Sequence, residues 1–258
     1  MGGISKSQFL YSLDARHSVM FAHIFDIAVK ADRYGSGVYG DFLSENSISE
    51  LLSRKDFLPS EPILFGGFDD AERQMVAFVP EYEEPSFPIC AVKISSPMIS
   101  SLSHRDFLGS ILGLGIKREK CGDIIIGEKE AFVILSEEIS SYVLNSLEKV
   151  GRVGVKCEIV PLSEIKVPEK SFKPITGTVS SLRLDAVMSL FSGKGRNKAG
   201  EVIAGGLVFI NGIQVMKNDF HLKDGDIISL RGKGKATLSV GGTSKKDRIF
   251  ITLKVRGV

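Results

Sequence analysis

The sequence lacks tryptophan and has only three cysteines among its 258 residues. Cys90, Cys121 and Cys157 lie far apart, and no two of them have the spacing of metal ligands. This pattern excludes a small disulfide-stabilised secreted scaffold and indicates reduced thiols in the cytoplasm. We therefore expect a cytoplasmic protein without a metal or another cofactor.

Long apolar runs are also missing. No stretch approaches the roughly 20 residues that a membrane-spanning helix needs, and residues 1–6 lack the apolar core of a secretory signal. We therefore expect a soluble protein with no membrane partner. The composition, 43% hydrophobic and 25% charged, is typical of globular domains with buried cores.

The small net charge of +2 conceals an uneven distribution of charges along the chain. Residues 170–258 hold 16 Lys and Arg against 6 Asp and Glu, whereas the remainder holds 17 against 25. A basic module on an acidic body favours a surface that binds polyanions. The alternative is that both surfaces are merely solvated.

The first 80 residues are predicted to form a helical and hairpin segment. Apolar residues at 21, 24, 25 and 28 have helical spacing. Residues 17–55 are predicted to be helical, with a break at Gly35. Ser47 with Glu50 predicts the start of a second helix. Strands are predicted at 63–65 and 75–79.

Residues 81–162 show the order β-α-β-β-α-β, which predicts a ferredoxin-like or RNA-recognition-like split βαβ domain. RNA-recognition sheets stack bases on exposed aromatic side chains, but the central strands here offer Phe132 alone. We expect this domain to contact protein or RNA backbone without reading bases. Pro161, Pro168 and Pro174 predict a linker over residues 163–179.

Residues 180–258 are predicted to be a second α+β domain. Apolar positions from Leu184 to Phe191 and from Ala199 to Gly206 predict two short amphipathic helices, joined by a glycine-rich turn. Asn211-Gly212 predicts a tight hairpin, and further strands follow. The whole chain therefore belongs to the α+β class, with a helical N-terminal segment and an α-α-β module followed by a terminal hairpin.

Basic residues of this module lie outside its predicted core. Arg196 and Lys198 fall at the start of the second helix, where the helix dipole favours anions over cations. An external phosphate is the simplest compensation, so we predict an RNA-binding face. Its predicted residues are Arg183, Asp185, Lys194, Arg196, Asn197, Lys198, Asn211, Lys217, Arg231, Lys233, Lys235, Lys245, Lys246 and Arg248.

Four segments of the module resemble the S4 domain, which occurs in ribosomal protein S4, pseudouridine synthases and tyrosyl-tRNA synthetases. They are residues 181–185, 195–199, 206–212 and 224–228. Gly195 departs from the pattern, because many members have serine there; glycine is itself a fair helix cap. The resemblance implies a grip on structured RNA.

Segments further upstream resemble the YlmH-type S4-domain proteins: Phe65-Gly66-Gly67-Phe68, Ala71-Glu72-Arg73, residues 104–120 and Gly122-Asp123-Ile124. This resemblance implies an RNA-recognition-like central domain and a C-terminal S4 domain. It also implies association with the large ribosomal subunit, contact with rRNA and, as a further candidate, tRNA, and a part in the rescue of stalled translation.

The first part of the chain contributes further candidate RNA contacts, which are Arg105, Lys117, Arg118 and Lys120. We predict a monomeric, non-enzymatic binding protein without a small-molecule substrate. The rival is an RNA-modifying enzyme of the pseudouridine synthase or methyltransferase type, because Arg183-Leu184-Asp185 resembles the synthase motif whose aspartate is the nucleophile. A structural aspartate that pairs with Arg183 is the preferred interpretation. A protein-interaction adaptor is the third possibility.

Overall fold

The computed structural model describes residues 5–167, 172–244 and 247–256. The chain divides into two compact units, residues 1–168 and 169–258. The described helices of the first unit are α1 Lys6–Phe9, α2 Ala15–Tyr34, α3 Glu45–Ser53, α4 His104–Gly113 and α5 Glu137–Ser146. Its described strands are β1 Val38–Leu43, β2 Ile63–Phe65, β3 Gln74–Phe78, β4 Ile89–Ser95, β5 Cys121–Ile126, β6 Glu130–Ser136, β7 Lys149–Val150, β8 Val153–Gly154 and β9 Lys156–Val160.

In its described residues, the second unit consists of a strand, two helices and then five strands. Its described elements are β10 Phe172–Val179, α6 Leu184–Ser192, α7 Arg196–Ala204, β11 Val208–Ile210, β12 Ile213–Gln214, β13 Ile227–Leu230, β14 Gly234–Thr243 and β15 Ile249–Arg256. The α+β class is thereby confirmed. No helix in the described part of the chain is long and apolar enough to cross a membrane.

The N-terminal segment contains a strand where the sequence predicted helix. Helix α2 ends at Tyr34 and Gly35 follows with φ of 60°, as predicted, but β1 then pairs antiparallel with β3. This pairing joins residues far apart in sequence, so local periodicity could not reveal it. The next helix is capped by Ser44, whose hydroxyl accepts a hydrogen bond from the Ser47 N–H; the predicted start at Ser47 was wrong.

The central sheet has the predicted split βαβ topology. Its strand order is β5-β6-β4-β9 with antiparallel neighbours, and α4 and α5 connect the strands. Phe107 and Ile111 of α4 pack with Val143 of α5 against one face of this sheet. Helix α4 begins at His104, and Asp106 in its first turn accepts a hydrogen bond from the Ser103 N–H.

The other face of the central sheet is covered by the N-terminal segment. Phe132 is only 2% exposed and packs in one cluster with Phe42 and Met75, which lie on the sheet of order β1-β3-β2. The side chain that the sequence offered as a stacking aromatic is therefore core. Residues on both sides of the boundary predicted at position 80 share this core.

Gly66 directly follows β2, and a side chain does not fit there. A Cβ on Gly66 would lie 2.3 Å from the Ala71 Cβ and 2.5 Å from the Arg73 carbonyl oxygen. Because the second contact is with backbone, Gly66→Ala must displace the chain. We expect a loss of about 2–3 kcal/mol in the free energy of unfolding, measured with urea.

Gly109→Ala is the matched control. Gly109 lies inside α4 and a Cβ there would meet no atom within 4 Å. Alanine is the better helix former, so this variant is expected to gain about 0.5–1 kcal/mol. Similar destabilisation by both substitutions would show that the close contact at Gly66 is not the cause.

The second unit is a six-stranded sheet with both helices on one face. The strand order is β10-β15-β14-β13-β11-β12. Val187 and Phe191 of α6 and Ile203 of α7 pack against strand residues such as Leu238 and Leu253. The predicted α-α-β order and the Asn211-Gly212 hairpin are present.

Strand β10 differs from the sequence prediction, which assigned its residues to a linker. All eight of its residues pair with β15, from Phe172 with Arg256 to Val179 with Ile249. The strand lies at the edge of the sheet, a position that tolerates Pro174 because one side of an edge strand needs no partner. The linker predicted from the prolines was therefore wrong for residues 172–179, which form this edge strand.

Candidate nucleic-acid interface

The turn between α6 and α7 is fixed by its own hydrogen bonds. Gly193 ends α6 in the left-handed conformation with φ of 69°. The Ser189 hydroxyl donates to the Lys194 carbonyl oxygen at 2.7 Å, and the Lys194 N–H donates to the Ser192 hydroxyl at 3.2 Å. The turn thus holds its backbone in place while residues 193–198 remain exposed.

Helix α7 begins with cations and without a cap. Its first turn contains Arg196, Asn197 and Lys198 and no acidic residue, and no side chain of the described residues caps it. The first hydrogen bond of the helix runs from the Ala199 N–H to the Gly195 carbonyl oxygen, 3.0 Å. The helix end therefore presents N–H groups and positive side chains together, which favours an anion.

Arg183 and Asp185 lie at the start of α6 as a bidentate pair. The Arg183 Nε and Nη2 donate to the two carboxylate oxygens of Asp185 at 3.2 Å each, and the Ala186 N–H donates to Oδ1 at 2.8 Å. The Arg183 guanidinium lowers the pKa of the Asp185 carboxyl, and Arg196 contributes to the same shift. The expected pairing is confirmed, and it orients a guanidinium close to α7.

We name Arg183, Asp185, Lys194, Arg196, Asn197 and Lys198 the helix-start cluster. Asp185→Ala removes a negative charge, so simple electrostatics predicts tighter RNA binding. We expect the opposite, a loss of about fivefold in RNA affinity, because Arg183 loses the partner that orients it. Binding titrations at fixed salt would measure this.

Asp219→Ala provides the comparison with the same change of charge. Asp219 acts on Arg183 through charge alone, and no hydrogen bond between them is present in the described residues. This variant should bind RNA as well as the unaltered protein or slightly better. If Asp185→Ala also strengthened binding, the orienting role would be wrong.

Arg248 joins the helix-start cluster from a distant part of the sequence. Its Nη2 donates to the Thr178 carbonyl oxygen at 2.6 Å and its Nε to the Thr178 hydroxyl at 3.0 Å. With Lys194 and Arg196 it lines a shallow cleft of about 390 Å³. Lys245 and Lys246, predicted with Arg248, lie outside the described residues.

The other predicted cations lie on both faces of the sheet. The Lys233 Nζ lies 5.7 Å from the ring centroid of Phe191 on α6. Lys217 is exposed and lies next to the start of α6, because the carbonyl of the following residue, Asn218, accepts a hydrogen bond from the Asp185 N–H. Arg231 lies over the ring of Phe209, 5.4 Å from its centroid. Phe209 lies between the core residues Val208 and Ile210 of β11, so its ring is on the face of the sheet away from the helices. The strand register aligns Phe209 with Ser229 and Ser229 with Lys235, which places Lys235 on the same face.

Asn211 forms side-chain hydrogen bonds that its predicted place in a hairpin turn did not indicate. Its φ is 50°, its Nδ2 donates to the Asp226 carboxylate at 2.9 Å, and its Oδ1 accepts from the Ile227 N–H at 2.9 Å. Both polar atoms of the side chain are engaged within the protein. This arrangement argues against the predicted RNA contact.

Two of the four candidate contacts in the first unit also bond within the protein, Lys120 through its ammonium group and Arg118 through one of its three nitrogens. The Arg118 Nη1 donates to the carbonyl oxygens of Cys121 and Gly122, at 2.8 and 3.1 Å. The Lys120 Nζ forms ion pairs with Asp41 at 2.7 Å and Glu138 at 2.5 Å. Both side chains therefore stabilise the fold, whereas Arg105 and Lys117 are exposed and remain predicted contacts.

Several upstream segments on which the family resemblance rests meet around Arg73. The Arg73 Nε donates to the Cys121 carbonyl at 2.9 Å, and its Nη2 donates to the carbonyls of Phe42 and Arg118 at 3.0 and 3.2 Å. Asp123 accepts from the N–H groups of Glu72 and Arg73 at 2.6 and 3.2 Å. Burial lowers the pKa of Arg73 to about 10 and raises that of Asp123. The sequence analysis did not predict this cluster. The only feature of the sequence that pointed to these residues was that they belong to the segments that resemble the YlmH-type proteins.

Comparison with known proteins agrees with this architecture. Residues 80–164 match the family model described as "Putative RNA-binding domain in YlmH". The chain is 34% identical over 194 residues to "Ribosome-associated protein quality control protein P2" of Bacillus subtilis, covering 73% of this chain and 76% of that protein. The solved structure "Cell division protein ylmH from Streptococcus pneumoniae" matches with a TM-score of 0.50 and 22% identity, covering 60% of this chain and 96% of that one. The last match concerns the fold alone.

Proposed function

Since the chain belongs to the YlmH family, we propose that it is a non-enzymatic RNA-binding protein that associates with the large ribosomal subunit and acts in the rescue of stalled translation. The Bacillus subtilis relative is named as a ribosome-associated quality control protein, which supports the ribosomal setting. The second unit has the α-α-β order of an S4 domain, which supports its assignment as the RNA-binding part.

The start of α7 carries this proposal. Arg196 and Lys198 are exposed on a helix start that has no side-chain cap and no acidic residue. Arg196 lies close enough to lower the pKa of Asp185, the partner that orients the Arg183 guanidinium. Phosphate oxygens would accept from both the side chains and the helix N–H groups, so the arrangement suits an RNA backbone. Contact would follow backbone and shape, because the grooves of A-form RNA hide the bases from side chains.

The proposed partners are rRNA and, at the same surface, tRNA. The central domain would not stack bases on its sheet, because the face that carries Phe132 is covered by the N-terminal segment. It remains available for protein or backbone contacts through its exposed residues Arg105 and Lys117. The protein is proposed to act as a monomer in the cytoplasm, without a small-molecule substrate.

Sedimentation with separated ribosomal subunits tests the proposal. The protein should travel with the large subunit, and crosslinks to rRNA should map to the helix-start cluster. Ribonuclease treatment of lysate should release it. Co-sedimentation that resists ribonuclease and leaves the helix-start cluster without crosslinks would support a protein adaptor instead.

Asp185 is the residue that favours an RNA-modifying enzyme, because it stands in the Arg-Leu-Asp pattern of pseudouridine synthases. Both of its carboxylate oxygens are bonded to Arg183, which suits an orienting role. Incubation with rRNA or tRNA, followed by mass spectrometry of the nucleosides, distinguishes the two. Turnover that is lost in Asp185→Ala would establish the enzyme and overturn the non-enzymatic proposal.

A further inference from the structure

The first unit contains a cleft of about 610 Å³ that is independent of the helix-start cluster. Helix α2 and strand β1 form its walls, and Arg73 and Arg118 lie on its lining. Its volume lies in the range of pockets that hold small molecules. The proposed RNA-binding function does not use this cleft.

Arg73 and Arg118 each keep nitrogen atoms without a protein partner. Within the described residues, Arg73 uses its Nε and Nη2, and Arg118 uses only its Nη1, in hydrogen bonds to carbonyl groups. No buried side-chain nitrogen or oxygen in the described part of the chain lacks a partner, so the remaining guanidinium nitrogens reach solvent. Both residues also line the cleft.

The two guanidiniums also lack a directly paired carboxylate. Neither forms an ion pair among the described residues, whereas Asp41 on the cleft wall is paired with Lys120 at 2.7 Å. Exposed Glu119 is the other acid on the lining, and Asp123 bonds to backbone N–H groups. Burial lowers the pKa of both guanidinium groups, Arg118 lowers that of Arg73 further, and the nearby Asp123 carboxyl partly offsets both shifts. Asp123 therefore already compensates part of the desolvation of these two half-buried cations, and an anion in the cleft would add to that compensation.

Helix α2 contributes an apolar part of the lining, which supplies a surface for a planar group. Val19, Met20 and Ile24 of α2 line the cleft, and the imidazoles of His17 and His23 border them. A phosphate monoester carries up to two negative charges and three terminal oxygens, which two guanidinium groups can bind by charge and hydrogen bonds. An apolar wall suits the flat face of a nucleobase. We propose that this cleft binds a nucleoside monophosphate group, with the phosphate between Arg73 and Arg118.

The group could belong to a free mononucleotide or to the 5′ end of an RNA chain. Calorimetric titration of the full chain would use nucleoside 5′-monophosphates, the matching nucleosides, inorganic phosphate and a short 5′-phosphorylated RNA. We expect the monophosphates to bind at least tenfold more tightly than either the nucleosides or inorganic phosphate. Equal affinity for inorganic phosphate and mononucleotide, or no binding of mononucleotide, would overturn the proposal.

The source of the group is decided by competition in the Arg196→Glu/Lys198→Glu variant, in which the helix-start cluster is disabled. Displacement of a mononucleotide by the phosphorylated RNA, and not by the same RNA without its phosphate, assigns the cleft to RNA ends. Binding of the mononucleotide alone assigns it to free nucleotides. Either result supports the proposed chemistry, and both are independent of ribosome binding.

Variants on α2 test the location without disturbing the core. Val19 lines the cleft and is 75% exposed, so Val19→Trp should fill the cleft and weaken mononucleotide binding at least tenfold while the protein stays folded. Val29→Trp is the control, since Val29 is 39% exposed on the same helix but is not on the lining. Arg118→Gln should also abolish binding. Undiminished binding in Val19→Trp, with circular dichroism unchanged, would place the ligand elsewhere and refute the site.

Discussion

Replacing Arg196 and Lys198 together by glutamate is expected to abolish binding to RNA and to the large ribosomal subunit. Each lost charged contact contributes about 1.5–3 kcal/mol, so affinity should fall by roughly 100-fold or more. The salt dependence should flatten as well, with the slope of log K against log salt reduced by about 1.5. Both side chains are exposed on the first turn of α7, so the fold should survive.

Binding isotherms at several salt concentrations measure both effects. The control is Lys223→Glu/Lys254→Glu, which makes the same change of net charge at exposed residues outside the helix-start cluster. This control is expected to weaken binding only slightly. Equal losses in the two double variants would mean that overall charge, and not the start of α7, determines binding. Unchanged binding in the first variant would contradict the proposed interface.

Replacing Arg73 by methionine is expected to be the most destabilising of the substitutions considered for the first unit. The guanidinium donates to three carbonyl groups, those of Cys121, Phe42 and Arg118, which connect β1 of the N-terminal segment with the central domain. Methionine fills much of the volume but donates no hydrogen bond. The Cys121 carbonyl keeps its hydrogen bond from Arg118, but those of Phe42 and Arg118 lose the Arg73 donor, which should lower the free energy of unfolding by about 3–5 kcal/mol.

Differential scanning calorimetry checks this result. A change of this size corresponds to a fall of about 10 °C in the Tm of the transition that includes the first unit. Arg33→Met is the control, because Arg33 is exposed near the end of α2 and lies over the Tyr34 ring, 5.9 Å from its centroid. Its effect should stay within about 0.5 kcal/mol. A small effect of Arg73→Met would show that water replaces the guanidinium at these carbonyl groups.

Local sequence patterns determined most of the helices and hairpins. The apolar spacing of residues 184–191 and 199–206 predicted α6 and α7, and Asn211-Gly212 predicted the hairpin between β11 and β12. Strand and helix order also predicted the split βαβ domain, because each of its elements carries its own periodicity. The exposed cations at the start of α7 followed from the same pattern, since a helix start fixes which residues lie on its first turn.

Contacts between distant residues decided the rest. Strand β10 pairs with β15, 70 to 84 residues away, and β1 pairs with β3, so neither could be identified from nearby residues. The burial of Phe132 depends on a second sheet that packs on it, and alternation along its own strand does not reveal this. Arg118 appeared in the sequence as part of an exposed basic run, yet its guanidinium bonds to two carbonyl groups that only the fold brings near.

The sequence by itself therefore determined the α+β class of the protein, the element order of the central domain and of the α-α-β module, and the cations that begin α7. These properties depend on spacing over a few residues, which the chain carries locally. The tertiary structure alone decided that Arg248 joins Lys194 and Arg196 around one cleft, and that Asn211 and Lys120 are engaged within the fold. It also placed Arg73 and Arg118 on a common cleft. The physical reason is that burial, pairing and charge compensation depend on distances in space, which sequence separation does not set.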